Sequence, residues 1–115
     1  MDQQLDIRFI VEKQRLVACP QGALSVAVRD QFYAGIVDRL AVEGLKHLVV
    51  DLGDVPNIDS SALGVLFSLY KHLVQKNGSL VLLRPTGMVA EVVHITHMEK
   101  IVQIKQSLDE LPPIE

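Results

Sequence analysis

Residues 47–52, with the sequence HLVVDL, restrict the possible folds of this chain more than any other segment. This run is almost continuously apolar and rich in β-forming residues, which is typical of a strand buried on both faces in the centre of a parallel or mixed sheet. Residues 80–83, LVLL, form a second run of the same kind. Strands of this type need helices packed on the sheet, so the two runs predict an α/β fold.

Strand and helix patterns alternate before the first of these runs. Residues 5–11 and 15–19 predict two strands, joined by a tight turn at residues 12–14. Ser25 is a fair N-cap, and the apolar residues that follow it recur at helical spacing. Gly44 is expected to end this first helix, because glycine accepts the left-handed conformation common at helix ends.

The remainder of the chain continues the alternation. A second helix is predicted over residues 60–76, ended by Asn77-Gly78, and a third over residues 85–96. A short strand and a last helix fit residues 101–108. The order β-β-α-β-α-β-α-β-α predicts a single domain over residues 1–115, with a mixed, mostly parallel sheet of four to five strands and about four helices.

Composition and charge argue against several classes of function. The net charge of -3 and the pI of about 5.7 provide no basic surface for nucleic acid. The first ten residues do not form a signal peptide, and no apolar run is long enough to cross a bilayer. We therefore expect a cytoplasmic protein that neither binds nucleic acid nor inserts into a membrane.

Asp59-Ser60-Ser61 is the segment most able to carry function. It follows the loop that leaves the carboxyl end of the most buried strand, where open α/β sheets collect their ligands and reactive groups. One of the three residues is expected to cap the next helix, and capping alone would explain them. The alternative is that Ser60 is a phosphorylation site, because backbone N–H groups and the helix dipole favour an anion there.

The predicted helix after Ser60 is unusually apolar. The apolar stripe of an ordinary surface helix spans about 100°. In this helix three further apolar residues make the stripe much wider: Ala62, Val65 and Leu69. Either the sheet and neighbouring helices cover the whole arc, or Val65 and Leu69 meet another protein. Gly64, in the helix interior, predicts a close contact on its side, from a partner or a neighbouring loop.

No motif for catalysis, cofactor binding or metal binding accompanies this segment. The GxSxG elbow of serine hydrolases and the glycine-rich phosphate loops are both missing. His94 and His97 share a helical spacing, but two histidines are too few for a zinc site. We therefore expect a non-enzymatic protein with no catalytic residue, no cofactor and no metal.

The stretch HLVVDLGDVPNIDSSALGVLFSLYKHLVQKNGSLVLL, residues 47–83, resembles the STAS domain family. This family is found in anti-sigma factor antagonists and in the cytoplasmic parts of sulfate transporters. The stretch is similar to the family's strand, Asp-Ser loop, helix and next strand, and it covers about a third of the chain. The resemblance implies a STAS-type α/β domain.

The resemblance also implies roles for particular residues. In bacterial antagonists an anti-sigma factor that is itself a serine kinase phosphorylates the serine matching Ser60, a PP2C-type phosphatase reverses this, and the residue matching Asp59 orients the serine. The unphosphorylated domain binds the kinase and the phosphorylated domain releases it. Ser61 stays open as the cap or a secondary phosphosite. The residues expected to bind the partner are Asp54, Asn57, Ala62, Val65 and Leu69.

Two segments depart from the family's pattern. Residues 22–25 read Gly-Ala-Leu-Ser where the family often has Gly-Glu-Leu-Asp, and residues 96–98 read Thr-His-Met where Thr-Gly-Leu is common. The first departure removes two acids from a loop that borders the partner surface. A second function of the same fold stays open, in which the chain is a constitutive STAS scaffold of a membrane transporter or a stressosome-like complex and Ser60 only caps a helix.

Overall fold

The computed structural model describes residues 4–114 of the chain, which contain five strands and three α-helices. The strands are β1 (Asp6–Glu12), β2 (Arg15–Gln21), β3 (His47–Asp51), β4 (Ser79–Leu83) and β5 (Gln103–Lys105). The helices are α1 (Arg29–Glu43), α2 (Ser60–Val74) and α3 (Gly87–Ile95). Single 3₁₀ turns occupy Val26–Val28, Met98–Lys100 and Leu108–Glu110.

The five strands form one sheet in the order β1-β2-β3-β4-β5. β1 is antiparallel to β2, and the other neighbouring strands are parallel. The predicted α/β class and the mixed, mostly parallel sheet are therefore confirmed. Because β2, β3 and β4 run in the same direction, the loops after them emerge side by side at one edge of the sheet.

The helix boundaries agree with the sequence in part. Gly44 ends α1 with a φ of 66°, as predicted, and Asn77 takes a φ of 61° just after α2. Ser25 does not cap a helix with its side chain: it precedes the 3₁₀ turn Val26–Val28, and its hydroxyl makes no cap hydrogen bond. The predicted last helix is only the 3₁₀ turn Leu108–Glu110, which is stabilised by its own capping box.

The two faces of the sheet are covered differently. The helices pack on one face, and buried residues of α1 and α2 join β3 and β4 in the larger core. On the opposite face lies a smaller core of four residues, Val17, Val49, Val81 and Leu83. Leu108 and Leu111 pack on this small core, and the buried Arg15 guanidinium donates a hydrogen bond to the Pro112 carbonyl. Both faces of β3 are therefore buried, which explains its continuous apolar sequence.

The turn between α2 and β4 depends on Gly78. Its N–H donates to the Leu73 carbonyl at 2.7 Å, and a Cβ added to Gly78 would overlap the carbonyl oxygen of Lys46. That carbonyl accepts the Ser79 N–H at 3.1 Å, so it is fixed at the start of the β3–β4 pairing. No side chain fits at position 78 without moving one of these backbone segments.

We predict that Gly78→Ala lowers the free energy of unfolding by about 2 kcal/mol or more, because a rigid backbone carbonyl must shift. The measurement is equilibrium denaturation in urea. Gly64→Ala is the matched control: it lies inside α2, and no heavy atom lies within 4 Å of an added Cβ. This control should leave stability unchanged or raise it by up to about 1 kcal/mol. Equal destabilisation by the two variants would contradict the prediction.

Candidate functional site

The loop between β2 and α1 lies directly against the loop between β3 and α2. Three backbone hydrogen bonds join them: Gly22 N–H to the Asp54 carbonyl at 3.1 Å, Leu24 N–H to the Asn57 carbonyl at 3.0 Å, and Asp59 N–H to the Leu24 carbonyl at 3.0 Å. These bonds continue the parallel pairing of the sheet beyond the ends of its strands. The starts of α1 and α2 are thereby held beside each other.

The Asp59 side chain fixes the starts of both helical segments. One carboxylate oxygen accepts the Ala62 N–H at 3.0 Å and caps α2. The other accepts the Val26 N–H at 2.9 Å, at the 3₁₀ turn that leads into α1. Asp59 therefore does for the first helical segment what the Ser25 hydroxyl was expected to do. Of the three candidates for the cap of α2, the residue is Asp59.

These N–H groups also set the acidity of Asp59. The hydrogen bond from Ala62 lowers the pKa of the Asp59 carboxyl below its usual value, and N–H groups of Val26 and Ser61 act in the same direction. Partial desolvation opposes them and the charge of Arg29 adds to them. The carboxylate beside Ser60 is therefore ionised at neutral pH, and it holds the backbone next to Ser60 in place.

Ser60 is the first residue of α2 and is exposed, whereas Ser61 is half-buried. A helix N-terminus is a favourable position for an added anion, since its first N–H groups point outward along the axis. Asp54 and Asn57 are exposed on the loop that precedes Ser60. The Asp54 carboxylate accepts a hydrogen bond from the Gln21 side chain at 3.1 Å. The polar candidates therefore form one exposed group around the start of α2.

The apolar candidates do not share this exposure. Ala62 and Leu69 are fully buried in the core shared with the sheet and the neighbouring helices, so their side chains are unavailable to a partner. Val65 is also counted in the core but keeps 9% of its surface exposed. Of the two alternatives for the apolar arc, the structure favours coverage from within the chain, with Val65 at its margin.

The open surface beside Ser60 is a groove between α1 and α2, with a volume of about 580 Å³. Its lining includes Arg29, Tyr33, Ser61, Gly64, Val65 and Ser68. The close contact expected at Gly64 is absent among residues 4–114, since no heavy atom approaches an added Cβ within 4 Å. Val26, with 57% of its surface exposed, lies in the adjoining loop. The groove and Val26 are therefore the apolar surface that a partner at the start of α2 could reach.

An ion pair that the sequence interpretation missed supports the loop from its base. The Arg84 guanidinium binds the Asp51 carboxylate at 2.6 Å, and that carboxylate also accepts the Gly53 N–H at 2.9 Å. The hydrogen bond that Arg84 donates to Asp51, and then the charge of that carboxylate, raise the pKa of Arg84. Arg84 follows β4 with a φ of 55°. Since Asp51 and Leu83 are paired in the sheet, alignment of the two apolar runs could have revealed the pair.

The histidines contribute no metal site in the part of the chain that the structure describes. No three or more His, Cys, Asp or Glu side chains converge there. His94 lies 3.4 Å from the Glu99 carboxylate. His97 has a φ of 58°, so it takes a glycine-like conformation where the family commonly has glycine. Among the same residues, no helix has both the length and the apolar character needed to span a bilayer.

Comparison with family models identifies the kind of domain that carries this site. The model of the STAS domain matches residues 8–111, which is most of the sequence. The chain belongs to the STAS domain family. This STAS domain is 33% identical over 92 residues to BtrV of Bordetella bronchiseptica, which carries the provisional name of anti-sigma factor antagonist. The match spans 80% of this chain and 78% of that protein.

Solved structures have the same fold. The crystal structure of a protein from Thermotoga maritima, provisionally titled an anti-sigma factor antagonist, superposes with a TM-score of 0.85. It is 24% identical, and the match covers 90% of this chain and 89% of that one. SpoIIAA of Bacillus in its phosphorylated form gives a TM-score of 0.69 at 17% identity, covering 93% and 95%. At these identities the likeness concerns the fold.

We predict that the stabilisation by Asp59 depends on pH. Because folding lowers the pKa of this carboxyl, its stabilisation is complete above the pKa of an unfolded aspartate, about 3.9, and is lost as pH falls through the lower folded-state pKa. Asp59→Ala should lower the Tm at pH 7, and the difference from the original chain should shrink as pH falls from about 4.

Thermal unfolding followed by circular dichroism between pH 7 and pH 2.5 measures this difference. Asp59→Asn is the matched control, since an amide oxygen still accepts an N–H but carries no charge. At pH 7 the Tm of Asp59→Asn should lie between those of Asp59→Ala and the original chain. Its difference from Asp59→Ala should not depend on pH. A difference between the original chain and Asp59→Ala that stays constant over the whole range would contradict the role assigned to the carboxylate.

Proposed function

We propose that this STAS domain is an anti-sigma factor antagonist controlled by phosphorylation of Ser60. Unphosphorylated, it binds an anti-sigma factor that is a serine kinase, and phosphorylated, it releases that kinase. A PP2C-type phosphatase restores the binding form. The protein acts in the cytoplasm, without a cofactor and without catalysing a reaction itself. Relatives named as anti-sigma factor antagonists support the general role.

The observation that carries the proposal is the position of Ser60. Ser60 is exposed in the first turn of α2. The start of this helix is held in place because the Asp59 carboxylate accepts N–H groups of both helical segments. A kinase that recognises a folded domain needs a serine hydroxyl that is exposed and a surrounding backbone that keeps one orientation. Ser60 has this accessibility, whereas Ser61 is half-buried against the groove. We therefore assign phosphorylation to Ser60 and keep Ser61 as a secondary candidate.

The charge of a phosphate acts on binding rather than on folding. Phosphoserine adds about -1.5 to -2 charges at neutral pH, and the helix dipole contributes only about 0.3 to 1 kcal/mol at an exposed position. Asp54 and Asp59 lie close in sequence and partly offset even this gain. The free domain should consequently keep the same fold and nearly the same stability in both forms.

At an interface the same phosphate has a larger effect. A partner covering Ser60 would desolvate the dianion beside the carboxylates of Asp54 and Asp59, and an uncompensated charge there costs several kcal/mol. A loss of about 4 kcal/mol corresponds to a thousandfold weaker complex. The proposed partner surface consists of exposed polar residues, Asp54 and Asn57, together with Val65 at the groove. Ala62 and Leu69 support this surface from beneath.

We predict that Ser60 accepts phosphate from an anti-sigma factor serine kinase of the same genome. After incubation with this kinase and ATP, intact-mass spectrometry should find one added phosphate on the original chain. Ser60→Ala should accept none, whereas the matched control Ser61→Ala should still accept one. Phosphate that maps to Ser61 in the original chain would overturn the assignment to Ser60. No phosphate with any such kinase would leave the scaffold function as the better assignment.

We further predict that charge at position 60 weakens binding to this kinase. Ser60→Ala should bind it as well as the unphosphorylated chain does, while phosphorylation on Ser60 should weaken binding roughly a thousandfold. Ser60→Asp carries a single charge and should show a smaller loss in the same direction. Isothermal titration calorimetry measures all three constants. Equal affinities for Ser60→Ala and Ser60→Asp would refute the switch.

A further inference from the structure

β1 is an open edge of the sheet. It is a seven-residue strand at one end of the strand order, whereas β5 at the other end has only three residues. Long edge strands offer unpaired N–H and C=O groups to another chain, and proteins commonly protect them with charged side chains, proline, bulges or covering segments. β1 contains no proline, and its pairing with β2 is continuous from Asp6 to Glu12, without a bulge.

The turn after β1 determines which backbone groups face outward. Lys13 and Gln14 have φ values of 51° and 69°, so they form a two-residue hairpin turn of the type that has positive φ at both positions. Glu12 and Arg15 are then the hydrogen-bonded pair next to the turn, and the pattern alternates along the ladder. The outward residues are consequently Ile7, Phe9 and Val11.

Within residues 4–114, Leu5 and Gln31 close one end of the edge. Leu5 has the same parity as the outward residues, and its N–H donates to the Gln31 side chain at 2.8 Å. Within residues 4–114, the outward backbone groups of Phe9 and Val11 have no hydrogen-bond partner. These two residues therefore offer two donors and two acceptors to an incoming strand.

The side chains of β1 extend an apolar row of the small core to this edge. Ile10 is paired with Val17, Val17 with Val49, and Val49 with Val81, so the four side chains form a line across one face of the sheet. The three valines are buried, but 53% of the Ile10 surface is exposed. On the other face Val11 is 49% exposed. The row ends at an apolar residue that nothing covers within the described chain.

The charges of β1 distinguish between possible partner strands. Arg8, Ile10 and Glu12 lie on the same face, since side chains alternate along a strand. Arg8 and Glu12 are exposed, and neither forms an ion pair within residues 4–114. A second β1, placed antiparallel about a two-fold axis at Ile10, sets each Arg8 opposite the Glu12 of the other copy. The same register sets Ile10 opposite Ile10.

The hydrogen-bonding groups agree with this register. With the axis at Ile10, Phe9 of one copy is opposite Val11 of the other, so outward residues meet outward residues as an antiparallel ladder requires. Ile10 then forms a non-hydrogen-bonded pair, in which side chains approach most closely. An axis at Arg8 would oppose two arginines, and an axis at Phe9 would oppose Asp6 and Glu12. The chain is thus self-complementary about Ile10.

We propose that β1 binds β1 of a second copy of this chain, antiparallel and centred on Ile10, to form a continuous ten-stranded sheet in a two-fold symmetric dimer. The main-chain bonds of Phe9 and Val11 hold the strands, the two Ile10 side chains extend the small core, and two Arg8–Glu12 pairs set the register. This surface is separate in sequence and in the sheet from the loop that carries Ser60, and the inference stands without the proposed function.

A charge exchange tests the register. Sedimentation equilibrium of the original chain should give a monomer–dimer equilibrium. Arg8→Glu and Glu12→Arg should each weaken the dimer roughly tenfold, because like charges then face each other twice. The double variant Arg8→Glu/Glu12→Arg should restore it, since the exchange recreates both pairs in the same geometry. Lys105→Glu, on the opposite edge strand, is the control and should leave the constant unchanged.

Hydrogen exchange on the original chain gives a test that needs no variant. The Phe9 and Val11 amides should exchange slowly at concentrations where the dimer forms and rapidly at dilution, while the Ile10 amide, bonded to β2, should be protected at both. A chain that remains monomeric at millimolar concentration would overturn the proposal. A dimer that the double variant does not restore, or one without concentration-dependent protection at positions 9 and 11, would overturn it as well.

Discussion

The burial of β3 is the constraint on which the remaining structure depends. β3 is paired on both edges and covered on both faces, so its backbone finds all its partners within the sheet and its side chains have no contact with solvent along Leu48–Val50. β2 and β4 run parallel to this strand on either side. Their loops therefore emerge at one edge of the sheet, which is where Asp51 meets Arg84 and where the backbone continues to Ser60.

The Asp59 carboxylate links the starts of the two helical segments at this edge of the sheet. Its two oxygens bind one N–H at the start of α2 and one before α1, across a separation of 33 residues between Val26 and Asp59. The two loops are already joined by backbone hydrogen bonds, so the carboxylate completes a network and does not act alone. The start of α2 is therefore rigid while its surface is polar and open, a combination that suits recognition by another protein.

The sequence predicted the parts of this fold that follow from local pattern. Apolar runs identified β3 and β4, and the residues that allow positive φ identified the ends of α1 and α2. The prediction that Ser25 caps the first helix was wrong. Its position before an apolar helical pattern is typical of an N-cap, but the Val26 N–H is bound instead by the carboxylate of Asp59, which is distant in sequence. Leu69 is buried because neighbouring elements pack closely against it. Helical periodicity in the sequence gives no information about how closely they approach.

The candidate site was predictable to a similar extent. The position of Ser60 before an apolar helix indicated that Asp59, Ser60 and Ser61 lie at a helix start, but the choice of Asp59 as the cap required coordinates. Arg84 was missed because its partner, Asp51, is 33 residues away and only strand register brings the two together. The complementary positions of Arg8 and Glu12 on β1 could likewise not be inferred from the sequence alone. The turn at Lys13 and Gln14 was needed to determine which backbone N–H and C=O groups of β1 face away from β2.

The sequential strand order has a consequence for the way the chain can be synthesised. Each strand is paired with its neighbour in sequence, so a domain that emerges from the ribosome amino terminus first can add β3, β4 and β5 to a growing sheet without waiting for a distant segment. The segment with Leu108 and Leu111 emerges after every strand, and it covers Val17, Val49 and Val81. During translation this valine surface is therefore the last part of the core to be covered.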